Sequence, residues 1–305
     1  MNASGAERLA TTQGAVDGEP WTVLRLILWS ADYLRGKGIE AGRLDAEHLL
    51  AHVLEMGRLQ LYLDFERPLT PVELDAFRPL LRRRASREPL QYILGHQPFR
   101  ELDLRVEPGV LIPRPETEVL VGEVLSWAAS EGLETSFVLD LGTGSGAIGL
   151  SLAHEGRDTR VVAVEVSEAA LEVARRNRDA AGLTESVDLR RGSLFEPLGA
   201  QERFDVIASN PPYVSEVDAE ALEPEVRDWE PREALFAGPD GLDVVRRIVT
   251  GARAHLRDGG LLALEVGAAQ TVKVADLLRD TGTYVNVRVV RDYTGRPRFV
   301  FANAG

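Results

Sequence analysis

The 305-residue sequence contains no cysteine. A disulfide framework and a thiolate nucleophile are therefore excluded, and the composition fits a reducing compartment. No run of apolar residues is long enough to cross a bilayer, and the first residues lack a basic region that leads into an apolar one. The protein is therefore expected to be cytoplasmic and to make no membrane contact.

Positive charge is also scarce, since the sequence has 35 Lys and Arg residues against 48 Asp and Glu residues, which gives a net charge of −13. Proteins that bind duplex nucleic acid derive much of their affinity from clustered Lys and Arg. The acidic balance therefore weighs against a direct nucleic acid partner. One basic cluster, Arg82–Arg84 with Arg87, is either a contact to a partner or a solvated helix face, and the second meaning is commoner.

The sequence lacks a pattern typical of a metal site. His96, His154 and His255 stand singly, without the spacing of metal ligands. We interpret them as structural or surface residues, and no metal is predicted.

The most informative segment is Asn210-Pro211-Pro212-Tyr213, which follows the strand-like run 204–209. The Asn210 side-chain oxygen and the next backbone carbonyl can accept the two N–H groups of a planar nitrogen, which stabilises positive charge that grows on it. Two prolines stiffen the loop and remove N–H groups, and Tyr213 offers a flat face. The pattern favours methyl transfer to a planar nitrogen, although Asn-Pro-Pro alone can be a simple turn.

A second motif lies upstream, where the apolar run 138–141 leads into a glycine-rich turn and then an apolar helix. Such a turn lets a ligand approach the backbone closely. Gly142, Gly144 and Ala147 also satisfy the dinucleotide fingerprint, and Glu165 follows at the distance of a ribose-binding carboxylate. The third glycine, Gly146, and the Asn-Pro-Pro-Tyr loop favour a sulfonium methyl donor over a nicotinamide.

These residues carry a family resemblance. The two motifs resemble class I S-adenosylmethionine-dependent methyltransferases that act on amino or amide nitrogens. Residues 87–95 and 110–118, with the specific element Ile112–Glu118, narrow this to the bacterial peptide chain release factor glutamine methyltransferases of the HemK/PrmC type. The resemblance runs from about Leu49 to the C-terminus.

The resemblance implies S-adenosylmethionine as cofactor and a class 1 peptide chain release factor as protein substrate, methylated on the glutamine amide of its Gly-Gly-Gln loop. The chain is expected to act as a monomer. The implied catalytic residues are Asn210, Pro211, Pro212 and Tyr213. The implied cofactor-binding residues are Gly142, Thr143, Gly144, Ser145, Gly146, Glu165, Leu194 and Asn210.

The chain departs from the family pattern at two positions. Glu165 stands where Asp is common, and its longer arm still reaches two hydroxyls. Ser193 stands where the family often has Asp near the adenine, and a serine accepts the adenine amino group less strongly than a carboxylate. Leu194 and Phe195 beside it are equally compatible with ordinary core packing.

The length exceeds the usual single core, so one large and one small domain are expected. Residues 1–19 are predicted to be a disordered tail, 20–88 a helical domain that recognises the substrate, 89–113 a β-hairpin linker and 114–305 the methyltransferase domain. Within the helical domain, Thr70 and Glu73 form a predicted capping box, and Pro79 is expected to kink or divide the helix that follows.

From residue 137 onward, strands and helices alternate, which predicts an α/β fold with a Rossmann-like, mostly parallel sheet and helices on both faces. Tyr284–Asp292 and Arg298–Ala302, joined by Thr294-Gly295, predict a C-terminal antiparallel hairpin. A helix is predicted over Leu242–Leu256 and a strand over Gly260–Val266. Ligands bind at the carboxyl ends of parallel strands, where Gly142, Glu165 and Asn210 are all predicted to lie.

The residues alone are also compatible with other functions. The same enzyme chemistry suits a ribosomal protein glutamine or a nucleic acid amine, but the acidic charge weighs against nucleic acid and the segment Pro113–Glu118 weighs against the ribosomal relative. A dinucleotide-binding oxidoreductase, or a fold kept only for binding, is the third hypothesis.

Overall fold

The computed structural model describes residues 15–16 and 19–305. The chain divides into two compact units, Met1–Gly95 and His96–Gly305. The predicted tail lies outside the described residues, except that β1 (Ala15–Val16) pairs with β2 (Glu19–Pro20). The division after Gly95 falls inside the predicted linker 89–113. The boundaries of the predicted domains remain predictions. Within the described part of the chain, no helix has the length and apolar character needed to span a membrane.

The first unit is helical and has its own apolar core. Leu26, Leu49, Phe77 and Leu81 are all fully or almost fully buried in it. The helices are Val23–Arg35, Gly42–Val53, Arg58–Leu63, Pro71–Ala85 and Leu90–Leu94.

The helix Pro71–Ala85 has the predicted capping box, in which the Glu73 side chain accepts from the Thr70 backbone N–H at 2.7 Å. Pro79 was expected to kink or divide this helix, and division is wrong, because the helix runs unbroken over 15 residues. Pro79 is exposed, and burial of Phe77 and Leu81 on the opposite face outweighs the missing hydrogen bond.

The strands of the main sheet of the second unit are β5 (Phe137–Leu141), β6 (Arg160–Glu165), β7 (Val187–Arg191), β8 (Phe204–Ser209), β9 (Leu256–Glu265), β10 (Tyr284–Arg291) and β11 (Pro297–Ala304). These seven strands lie in the order β10-β11-β9-β8-β5-β6-β7. Pairing among β9, β8, β5, β6 and β7 is parallel, whereas β11 is antiparallel to both β9 and β10. The predicted mostly parallel sheet with a C-terminal antiparallel hairpin is therefore confirmed. A separate two-stranded hairpin joins β3 (His96–Phe99) to β4 (Leu102–Arg105).

Helices cover both faces of this sheet, and alternate residues of the central strands feed two apolar cores. On one face Leu139 and Ile207 pack in the first core, and on the other Val138 and Val206 pack in the second. This two-sided burial explains why the central strands are mainly apolar, with Asp140 and Asp205 as buried exceptions. The helices of this unit are Thr117–Ser130, Ala147–Glu155, Glu168–Ala180, Pro224–Arg227, Arg232–Leu235, Asp243–Ala252 and Thr271–Asp280, with a 3₁₀ turn at Glu216–Ala221.

One predicted boundary is wrong. The helix predicted to run to Leu256 ends at Ala252, and β9 already begins at Leu256. The register between β8 and β9 shifts after Phe204, and Gly259 has a φ of +76° there. The glycine pair therefore forms a bulge inside the strand and does not mark its start.

Candidate active site

A cavity of about 200 Å³ lies at the carboxyl ends of the central parallel strands. It lies where ligands bind in open parallel sheets, because the loops that follow adjacent strands meet there. The residues singled out from the sequence that line it are Gly142, Thr143, Gly144, Ser145, Glu165, Leu194, Asn210, Pro211 and Pro212. Gly146 and Tyr213 are not among the residues that line it.

The glycine turn between β5 and the helix Ala147–Glu155 forms one wall. Gly142 and Gly144 have φ of +71° and +58°, and a Cβ at either position would meet no protein atom within 4 Å. The backbone therefore leaves room for a ligand at both positions. Gly146 does something else, since a Cβ there would come 2.6 Å from Leu150 Cδ1 and its absence lets the turn pack on the helix.

Asp140 stabilises this turn through hydrogen bonds to both of its ends. It was not among the site residues predicted from the sequence. Its Oδ2 accepts from Thr143 Oγ1 at 2.6 Å and from the Gly149 backbone N–H at 2.9 Å. Complete burial raises the pKa of Asp140 to about 6. Its place, at the end of an apolar strand just before the glycines, is the signal that could have identified it.

Glu165 lies at the end of β6 and is buried. Its Oε2 accepts from the Gly144 N–H at 2.9 Å, and its Oε1 accepts from the N–H groups of Val166 and Ser167 at 2.9 Å each. A carboxylate has about four acceptor positions. Glu165 is therefore fixed at the cavity wall with capacity left for a hydroxyl donor.

Beyond β7, the Ser193 hydroxyl accepts a hydrogen bond from Arg247 Nη2 at 2.9 Å, and both residues line the cavity. This bond uses one of the two lone pairs of the Ser193 hydroxyl, so its second lone pair and its proton remain for a ligand. Leu194 lines the cavity as well, with a φ of +54°. Phe195 does not line the cavity; it is partly buried against the first core and stacks on His255 with ring centroids 5.2 Å apart.

The Asn-Pro-Pro-Tyr loop follows β8 directly and is fixed by a glutamine that the sequence analysis did not assign. Gln270 Nε2 donates to the Tyr213 carbonyl at 2.9 Å, and Gln270 Oε1 accepts from the Gly267 N–H at 3.0 Å. Tyr213 itself is half-buried, and burial raises the pKa of its hydroxyl. Tyr213 therefore stays neutral at physiological pH.

Asn210 has a partner at the start of the helix Thr117–Ser130. Its Nδ2 donates to Thr117 Oγ1 at 3.4 Å, and Thr117 Oγ1 donates to Glu265 Oε2 at 2.7 Å. Burial raises the pKa of Glu265, at the end of β9, to about 7. Neither Thr117 nor Glu265 was assigned from the sequence, although an acid that ends an apolar strand is the same signal that Asp140 gives.

The segment with the most specific resemblance, Ile112–Glu118, also meets the cavity. Arg114 lines the cavity and donates to Glu230 Oε1 at 2.6 Å. Glu230 is buried and precedes Pro231, which lines the cavity too. The ion pair therefore joins two segments of the cavity wall that lie 116 residues apart. Trp229, which directly precedes Glu230, is half-buried and does not line the cavity.

Comparison with known families gives two matches along the chain. Residues 25–95 match the model described as "PrmC N-terminal domain", and residues 117–224 match the model described as "Methyltransferase small domain". Three curated relatives are named release factor glutamine methyltransferase. That of Geobacter sulfurreducens is 47% identical over 94% of this chain and 98% of its own length. Those of Rhodopirellula baltica and Moorella thermoacetica are 38% and 44% identical, over 92% and 88% of this chain and 96% and 94% of their own lengths.

Comparison with solved structures supports the fold of the second unit. A methyltransferase of Pyrococcus furiosus matches with a TM-score of 0.50 and 22% identity, over 67% of this chain and 89% of its own. A 16S rRNA methyltransferase of Thermus thermophilus, solved with AdoMet and guanosine, matches with a TM-score of 0.52 and 24% identity, over 69% of this chain and 50% of its own. At these identities the likeness is one of fold.

Proposed function

The chain belongs to the release factor glutamine methyltransferases, which are S-adenosylmethionine-dependent enzymes, and from this membership we propose a specific acceptor atom. The acceptor is the side-chain amide nitrogen of the glutamine in the Gly-Gly-Gln motif of class 1 peptide chain release factors. The observation that carries this proposal is that Asn210 and Pro211 line the same cavity as Gly142, Gly144 and Glu165. This shared lining supports the proposal that one cavity accepts a planar amide beside a nucleoside.

The residues on one side of the cavity fit S-adenosylmethionine. Gly142 and Gly144 leave open space where a side chain would stand, and Glu165 is a fixed carboxylate suited to ribose hydroxyls. Ser193 and Leu194 follow the next strand outward, so we place the adenine beside them. Arg247 occupies one lone pair of the Ser193 hydroxyl, so the serine keeps a second lone pair with which to accept the adenine amino group and a proton to donate to a ring nitrogen. When bound, the cofactor would supply an electrophilic methyl group, with its sulfur as the leaving group that keeps the bonding electron pair.

The residues on the other side fit the acceptor. Amide nitrogen is a weak nucleophile because its lone pair is delocalised, so the site must hold it in the correct geometry. We propose that Asn210 Oδ1 and the Pro211 carbonyl accept its two N–H groups and stabilise the positive charge that grows as it takes the methyl group. Tyr213 lies outside the cavity lining, so its contribution is to hold the loop through Gln270. The surplus proton of the methylated nitrogen passes to water.

The second part of the proposal concerns substrate binding by the first unit. A release factor is a folded protein, and we propose that residues 20–88 bind it away from the glutamine. The enzyme is proposed to act in the cytoplasm as a monomer, without nucleic acid contact. The net charge of −13 supports the last point.

The test is direct methylation of a release factor. The full chain is incubated with S-adenosylmethionine and a class 1 release factor, and the tryptic peptides are examined by mass spectrometry. One added methylene on the Gly-Gly-Gln glutamine is expected, and a release factor with that glutamine changed to alanine is the control. A methyl group on another residue, or only on a ribosomal protein, contradicts the proposal.

Asn210→Ala tests the proposed acceptor contact. Loss of one preorganised acceptor at a charge that develops in the transition state costs about 10²-fold to 10³-fold in kcat. We expect a loss of that size in single-turnover methylation of the release factor. Full activity in this variant would remove the mechanism and leave the family membership intact.

A further inference from the structure

Asn210, Thr117 and Glu265 form a hydrogen-bonded row beside the cavity. β8 and β9 are parallel neighbours, so Asn210 after β8 and Glu265 at the end of β9 come to the same edge of the sheet. Thr117 lies between them and is 3% exposed, and Glu265 is 1% exposed. Of the three, only Asn210 and Thr117 line the cavity, so Glu265 reaches it through the other two.

The row has a direction. An ionised carboxylate only accepts hydrogen bonds, so the Thr117 hydroxyl must give its single proton to Glu265. The Thr117 oxygen is then an acceptor, and the end of the Asn210 amide that faces it must be the NH₂ group, as the 3.4 Å contact has it. An amide has two ends, so the Asn210 oxygen is the end left for a ligand.

We propose that Glu265 and Thr117 are positioning residues that hold the Asn210 amide with its oxygen turned to an N–H of the substrate glutamine. The inference rests on the proposed function of Asn210. If the Asn210 amide were reversed, it would present NH₂ to the NH₂ of the substrate, and the two donors would repel. An isolated asparagine can adopt either orientation, and the row removes that freedom before the substrate arrives.

Protonation of Glu265 reverses the row. A protonated carboxyl donates to Thr117, whose own proton is then free to point at the Asn210 oxygen and draw it away from the substrate. The raised pKa of Glu265, caused chiefly by burial, brings this change close to neutral pH. The charged and titratable groups that face Glu265 are Arg114, Glu116, Tyr213 and Arg298. The arginines favour the carboxylate, whereas Glu116 opposes it.

The experiment measures kcat, the KM for a release factor and the Kd for S-adenosylhomocysteine in variants of the full chain. Thr117→Val removes the hydroxyl at nearly constant volume, and we expect kcat to fall about tenfold or more while both binding constants stay within about twofold. Thr117→Ser keeps the hydroxyl and is expected to restore kcat. Thr271→Val is the matched control, because Thr271 is 2% exposed and also begins a helix, but does not line the cavity.

The pH profile gives a readout that a merely structural role would not move. We expect kcat of the wild type to fall on the acid side with a midpoint near pH 7, and Glu265→Gln to lose that limb because glutamine does not titrate. Wild-type kcat in Thr117→Val, absence of the acid limb in the wild type, or its persistence in Glu265→Gln overturns the inference. If Asn210→Ala is inactive while Thr117→Val is normal, only the row fails, whereas an active Asn210→Ala overturns the proposed function itself.

Discussion

At the scale of single residues, the glycine turn separates two reasons for a glycine that look alike in the sequence. Gly142 and Gly144 leave space on the side of the cavity, whereas Gly146 leaves space for Leu150. The sequence motif predicts that glycines are needed at all three positions. It does not predict which of them a ligand approaches, because that depends on the direction in which each missing side chain would point.

Gly144→Ala is therefore expected to weaken cofactor binding as well as the fold. Its φ of +58° is unfavourable for alanine, at about 1 kcal/mol of stability. The new methyl group would also enter the space proposed for the cofactor, so we expect the Kd for S-adenosylhomocysteine to rise about tenfold or more, measured by calorimetry. Gly182→Ala is the control, since its φ is +69° and its Cβ would also meet nothing, but it lies away from the cavity. Equal Kd values in the two variants would contradict the assignment.

Glu265 gives a residue-scale prediction about stability. Its pKa in the folded protein, about 7, lies above its usual value of 4.5, so the folded state binds this proton more tightly than the unfolded state does. The stability that this group contributes is therefore present in full below pH 4.5 and is lost as the pH rises through 7.

Glu265→Gln removes that loss. The free energy of unfolding of the variant, relative to that of the wild type, is expected to increase between pH 5 and pH 8, as measured by urea denaturation. Asp140, whose pKa is also raised by burial, is present in both proteins and cancels in the difference. A difference that does not change with pH would show that Glu265 titrates as an ordinary exposed carboxyl does.

At the scale of elements, Pro79 shows how tertiary packing overrides a local signal. The sequence alone predicts a break, because proline lacks the N–H that a helix interior uses. The helix Pro71–Ala85 persists because Leu74, Phe77 and Leu81 are buried along one face while Pro79 lies on the exposed side. Pro79 still lowers the stability of the folded protein by the missing backbone hydrogen bond, so a residue with an N–H at this position is expected to raise it.

Pro79→Ala is thus expected to stabilise the first unit by about 1–3 kcal/mol, because alanine restores the missing hydrogen bond and the best helix propensity. Thermal unfolding followed by circular dichroism would show a higher Tm. Pro71→Ala is the matched control, because Pro71 occupies the first turn, where its missing N–H has no intrahelical partner in any case. A gain that is no larger in Pro79→Ala than in Pro71→Ala would mean that the helix has already relaxed around Pro79.

Element boundaries show where sequence reasoning succeeds and where it stops. β8 was predicted with its observed bounds, since a mainly apolar run directly before the Asn-Pro-Pro turn is typical of a strand. The start of β9 was missed because Gly259 and Gly260 are equally typical of a strand end and of a bulge. Only the pairing with β8 decides between them.

At the scale of the whole molecule, parallel topology is what made the site predictable. Motifs at the ends of β5, β6 and β8 had to converge, because parallel neighbours end at the same edge. Thr117, Glu230 and Gln270 were not predictable in this way, since they come from segments whose folding back onto that edge leaves no periodic signal. The sequence therefore predicts the groups that would touch ligands better than the groups that hold them in place.

The two units allow a test of the proposal that the first unit binds the release factor while the second unit carries the active site. Each has its own buried apolar core, so the second unit, His96–Gly305, retains both of the cores that pack on its sheet. We expect this fragment to bind S-adenosylhomocysteine within about threefold of the full chain, because every residue that lines the cavity belongs to it.

The fragment and the full chain are expected to differ only with a folded substrate. With a short peptide that contains Gly-Gly-Gln, both should give similar kcat/KM values, since such a peptide reaches the cavity alone. With an intact release factor, the fragment should lose about tenfold or more in kcat/KM, which corresponds to about 1.4 kcal/mol of binding energy supplied by residues 20–88. Equal losses on peptide and protein would indicate that the first unit stabilises the enzyme and does not bind its substrate.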